Sequence, residues 1–170
     1  MNVPSLKYRI LILCAPLVFL LDQITKRSIL HTFSLGESVE VIPLFLNLTY
    51  IRNPGVAFGM LSQWESGRLV LTILPLMVLV GLFVWFMRFG NNEKLRPVAV
   101  ALIAGGAMGN VLDRFRLGYV VDFLDFHWNN AAHYPAFNVA DSAICVGVGF
   151  LFVHSWLYDK SVGKPSEAIR

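Results

Sequence analysis

Four long apolar runs dominate the pattern, and none shows the polar–apolar alternation of a soluble helix or strand. They fall at residues 10–30, 69–87, 97–113 and 139–158. About 20 residues of helix cross the hydrocarbon core of a bilayer, so each run predicts one membrane-spanning helix. Residues 69–87 contain no charge, while the other three carry charge only near one end: Asp22, Lys26 and Arg27; Asp113 and Arg114; and Asp141. Pro16 and Pro75 lie within spans, where membrane helices accommodate them as kinks. The result is a single all-α membrane domain over residues 1–170.

Between the spans the period changes. Residues 37–43 and 44–50 alternate, with Leu44, Leu46 and Leu48 on one face, as short strands do. Asn53-Pro54-Gly55 is a turn, and residues 56–61 are expected to return as another strand. A small sheet on the membrane surface follows, within the connecting segment 31–68, which is too long to be an idle link. Residues 114–138 form a second surface segment. It is rich in aromatics and histidine (His127, Trp128, His133, Tyr134), and we read it as a loop or flap over a site.

Composition agrees with the pattern. Of 170 residues, 56% are hydrophobic and 15% charged, far from the balance of a soluble domain. A net charge of +3 is too small and too dispersed for nucleic acid. Lys7, Arg9, Arg88, Lys94, Arg96, Lys160, Lys164 and Arg170 flank one set of helix ends, against Lys26, Arg27, Arg52, Arg68, Arg114 and Arg116 at the other. The positive-inside rule then places both termini in the cytoplasm and segments 31–68 and 114–138 outside. The basic start followed by an apolar run lacks a small-x-small cleavage site, so it reads as a retained helix. Cys14 and Cys145 lie within apolar runs and read as small buried hydrophobes, and the loosely spaced histidines make no metal site.

Candidate chemistry lies in the carboxylates. All those at membrane depth gather toward the outer ends of their helices, where ionisable groups are costly and mark function. Asp22 has Lys26 one turn away, and Asp113 has Arg114 beside it, so each reads as a structural ion pair. Asp122 and Asp141 have no basic residue within four positions. Brought together, they would share a proton and could activate a water against a peptide carbonyl, as aspartic proteases do. Spacing alone leaves Asp125 as an equal rival to Asp122. Gly105, Gly106 and Gly109, and Gly147 and Gly149, offer faces for close helix packing. A proton- or ion-coupled transporter using the same carboxylates is the alternative reading, as is a non-catalytic assembly subunit.

Five stretches, in order, carry a resemblance: LDQ at 21–23 with Lys26, RNPGVAF at 52–58, GGAMGNVLDR at 105–114, VVDF at 120–123 and FNVADS at 137–142. Over nearly its whole length the chain resembles lipoprotein signal peptidase (signal peptidase II). The resemblance implies an intramembrane aspartic endopeptidase of four helices, with no cofactor and no metal, in the bacterial inner membrane. Its substrates are diacylglyceryl prolipoproteins, cut just before the lipidated cysteine. It implies Asp122 and Asp141 as the catalytic pair, which selects Asp122 over Asp125. It implies Asp22, Lys26, Asn53, Gly55, Asn110, Asp113, Arg114 and Asn138 as supporting or substrate-binding residues. A lipid-facing sheet, inhibition by the cyclic peptide globomycin and a monomeric state are further expectations. Pro54 and Val56 depart from the usual residues of the motif and bear on the geometry of that loop only.

Overall fold

The computed structural model describes residues 4–55, 65–129 and 131–162. In chain order the elements are α1 (Leu6–Thr32), β1 (Ser38–Ile42), β2 (Leu46–Asn53), α2 (Glu65–Met87), α3 (Leu95–Leu117), β3 (Val120–Trp128), β4 (Ala132–His133) and α4 (Val139–Val162). All four helices are long and apolar enough to cross a membrane. The expected return strand at residues 56–61 lies outside the described residues.

α3 is the hub, and α1, α2 and α4 all pack on it. Over half of its span is buried inside the protein, against 17% or less for the others. Its glycines explain this. A Cβ at Gly105 would meet the Ala15 carbonyl and the Val18 side chain of α1, one at Gly106 the Ala140 carbonyl of α4, and one at Gly109 the Asp22 carboxylate. Only hydrogen fits at these crossings, so the backbones close on one another as small-residue faces in membranes do.

The helices overrun the sequence estimate. α1 begins at Leu6, so Lys7 lies within it rather than beyond it. Lys7 is buried and donates to the carbonyls of Met87 (3.3 Å) and Phe89 (2.7 Å). It thus satisfies the orphan carbonyls at the C-terminus of α2. α3 continues past Asp113 to Leu117 and stops at Gly118, whose φ of 80° is the left-handed cap that glycine tolerates.

The surface segments build one antiparallel sheet, in the order β1-β2-β3-β4. Residues 120–128, read as loop or flap, are instead a nine-residue strand paired with β2, with Asp122 opposite Ile51 and Asp125 opposite Asn47. A continuous apolar run with three interspersed polar residues does not announce a strand. Its partner lies some seventy positions away, so only the folded state supplies it. Leu44, expected in a strand, sits at the hairpin tip with φ 61°, its N–H bonded to Glu40. Ile29, Tyr50, Val121 and Phe123 cluster between the sheet and the end of α1, fixing the sheet over one end of the bundle.

Candidate active site

The predicted carboxylates converge at the sheet end of the bundle, in two adjoining layers. The first centres on Lys26, which is 1% exposed. Its ammonium lies 2.9 Å from Asp22, 2.9 Å from Asp113 and 2.8 Å from the Asn110 amide oxygen. Three partners use all three ammonium donors. The Asp22–Lys26 pair is the one the spacing predicts. The expected Asp113–Arg114 pair is not made, because consecutive helix residues point about 100° apart. Asp113 turns inward to Lys26, and Arg114 lines a small hollow with Pro54, Thr72 and Gly118, within electrostatic reach of Asp141 and Asp122.

Both carboxylates of this layer also bind backbone. Asp22 accepts from the Ala140 N–H (2.9 Å) at the start of α4, and Asp113 from the Val121 N–H (3.2 Å) at the start of β3. Gln23 donates to both carboxylates, at 3.2 and 3.1 Å. A buried ion cluster is tolerable only when its lone pairs are met in this way. These contacts also place Asp122 and Asp141, which follow the two tethered residues directly.

The second layer is that pair. Asp122 is 2% exposed, and its oxygens accept from Asn138 Nδ2 (2.7 Å) and Asn53 Nδ2 (2.9 Å). Asp141 is half-buried and accepts from Asn110 Nδ2 (2.8 Å) and the Asn138 N–H (3.2 Å). All four donors are neutral amides. Asn138 touches both aspartates, and its own Oδ1 takes the Asp141 N–H (2.9 Å), a reciprocal cap at the start of α4. Asn53 ends β2 and turns over Pro54: its Oδ1 holds the Gly55 N–H (2.8 Å), and Gly55 has φ 91°. The proline therefore leaves the Asn53 amide aimed at Asp122.

Burial pushes the Asp122 carboxyl up, to about 6, and the charge of Asp141 adds to this; the Asn53 and Asn138 amides and Lys26 oppose it. Asp125, three residues on, faces the other side of the strand. There it meets Asn47 (3.2 Å) and His133 (2.8 Å), so the sheet separates two aspartates that spacing could not.

Beside Asp141 opens a cavity of about 510 Å³ lined by Phe126, Tyr134, Phe137, Ser142 and Cys145. Phe126 and Phe137 stack at 5.6 Å, with Tyr134 edge-on to Phe137. An apolar groove ending at a carboxylate suits an apolar chain with one reactive polar bond. The sequence showed these aromatics without their common wall. Cys145, read as a buried hydrophobe, is exposed.

Comparison with known proteins gives the family. The family profile described as signal peptidase (SPase) II matches residues 14–157. A lipoprotein signal peptidase of Syntrophotalea carbinolica is 48% identical over 151 residues, spanning 88% of this chain and 92% of that protein. One from Shewanella pealeana is 45% identical over 157 residues, covering 91% and 89%. A solved structure described as a bacterial membrane enzyme superposes with a TM-score of 0.81 at 36% identity, covering 99% of both chains. A second gives 0.75 at 37%, covering 85% and 90%. This chain, a multi-pass membrane peptidase that removes signal peptides, belongs to the signal peptidase II family.

Proposed function

We propose that the chain is an aspartic endopeptidase that cuts diacylglyceryl prolipoproteins on the N-terminal side of the lipidated cysteine. The observation that carries this reading is the Asp122–Asp141 pair, held by neutral amides through a shared Asn138 at the mouth of an apolar groove. Two carboxylates so placed share one proton. Asp122, the more deeply buried and the one raised to about 6, carries it. Asp141, on the groove, takes a proton from a water as the water oxygen bonds to the scissile carbonyl carbon. Asp122 gives its proton to the carbonyl oxygen. The resulting gem-diol collapses: Asp141 passes its proton to the departing amine, the C–N bond breaks, and a gem-diol hydroxyl returns a proton to Asp122. Acid, amine and the starting protonation state result, with no covalent intermediate.

In this reading Asn53, Gly55, Asn110 and Asn138 orient the pair, Asp22, Lys26 and Asp113 hold the scaffold, and Arg114 lies toward the substrate. Both termini face the cytoplasm of a bacterial inner membrane, and the sheet end faces the outer leaflet, where the diacylglyceryl chains reside. The protein acts as a monomer and is blocked by globomycin. Family membership leaves the transporter reading without support.

The test is incubation of the purified protein with a diacylglyceryl prolipoprotein. Cleavage to the mature size is expected, lost in Asp122→Asn and in Asp141→Asn while both variants stay folded. Near-normal turnover in either variant removes that residue from the mechanism.

A further inference from the structure

We infer that the exposed stripe of α4 running from Asp141 through Cys145, Gly149 and Phe152 to Trp156 is the bed on which the apolar helical segment of the substrate's signal peptide lies. The inference rests on the prolipoprotein reading above. At 100° per residue these positions share one narrow arc of the helix, with Asp141 at its head. The arc is opposite the face carrying Ala140 and Gly147, which α3 occupies. Below the groove the arc is open at Phe152, which is 73% exposed.

Gly149 is the informative residue. Most glycines of α3 and α4 have an internal reason, because a Cβ there would strike a neighbouring helix. A Cβ at Gly149 would meet nothing within 4 Å. Its notch faces outward, midway along the stripe, where an incoming helix could approach closely.

Length and continuity name the occupant. The peptide on the N-terminal side of the scissile bond must leave the groove and run toward the opposite membrane face. α4 starts at the groove and runs in that direction. Asp141 to Trp156 spans about 22 Å at 1.5 Å per residue. The apolar part of a signal peptide has roughly 7–15 residues, which as helix reaches about 10–22 Å. A substrate helix seated at Asp141 would therefore end beside Trp156, an interfacial anchor by residue type.

Gly149→Leu fills the notch without touching the protein's own packing. It is expected to raise KM for a full-length diacylglyceryl prolipoprotein about tenfold, equivalent to about 1.4 kcal/mol, with kcat retained. Gly81→Leu, on α2 and equally open, is expected to leave KM as it was. In the Asp122→Asn background, p-benzoylphenylalanine at position 152 is expected to form an adduct with the signal segment, and at Met77 of α2 none. An unchanged KM in Gly149→Leu, or adducts at position 152 with lipid alone, overturns the inference while leaving the peptidase reading intact. Absence of cleavage by the parent enzyme overturns that reading instead.

Discussion

The two carboxylate layers differ in one respect, which in the proposed mechanism separates scaffold from catalysis. Around Lys26, Asp22 and Asp113 meet a full positive charge, and every oxygen is bound to a donor. Around Asn138, the hydrogen bonds that the Asp122 and Asp141 carboxylates accept among the described residues come from amides, while Arg114 and Lys26 act at longer range. A cation fixes carboxylates in the charged form and makes them structural. Amides orient carboxylates and leave a proton free to move between them. Under the proposed mechanism the difference teaches that a carboxylate at membrane depth becomes chemically useful when amides hold it and no cation pairs with it directly.

The largest expected effect attacks the first layer. Lys26→Met leaves two buried carboxylates without their cation, a loss of about 3–5 kcal/mol. Thermal unfolding in detergent is expected to show a collapsed melting temperature, whereas Asp141→Asn keeps the parent value and loses cleavage. Equal melting temperatures for the two would erase the distinction between the layers.

Asn138→Ala strikes the second layer and its link to α4. Loss of the helix cap costs roughly 1 kcal/mol. Cleavage is expected to fall much further than stability does, because the side-chain amide donates to the Asp122 carboxylate and accepts the Asp141 N–H. Activity and melting measured on one preparation separate the two losses.

The third test uses pH. The Asp122 carboxyl lies at about 6 in the folded protein against an ordinary 3.8, so folding tightens its hold on a proton. Its contribution to stability is full below the ordinary value and is lost as pH rises through about 6. The melting temperature of the parent should therefore decline over that window, and that of Asp122→Asn should decline less. In kcat/KM the same group sets an alkaline limb. The Asn53 amide pulls the carboxyl down, so Asn53→Ala is expected to move that limb to higher pH. A limb that moves down, or not at all, contradicts the assignment of the proton to Asp122.

The smallest effect belongs to Asp125→Asn. It loses a contact with His133, which is 47% exposed, and such surface pairs contribute at most about 1 kcal/mol. Cleavage is expected to match the parent.

What the sequence revealed follows the range over which each feature is encoded. The helices were legible because an apolar run of twenty residues has one use, and Asp22–Lys26 because four positions make one turn. Asp113's partner was not, since Lys26 stands on another helix. Nor was β3: its ladder to β2 joins distant segments, and the strand face that divides Asp122 from Asp125 exists only once that ladder forms. Spacing sets Asn110 on one face with Asp113 and Asn138 on one face with Asp141, but the supporting role of these amides and of Asn53 came only through the resemblance, because a neutral amide says nothing about what it will orient.

The tethers from Asp22 to Ala140 and from Asp113 to Val121 have a consequence for biosynthesis. Segments from the first helix, the third, the strand after it and the last must all be present before the Asp22 and Asp113 carboxylates around Lys26 have their full set of donors. A ribosome-bound chain that has not yet delivered its final hydrophobic segment lacks Asp141 and the Ala140 N–H that donates to Asp22 alike. Under the proposed mechanism the chain is thus silent throughout its own insertion, and its hydrolytic power arrives with the completion of the bundle.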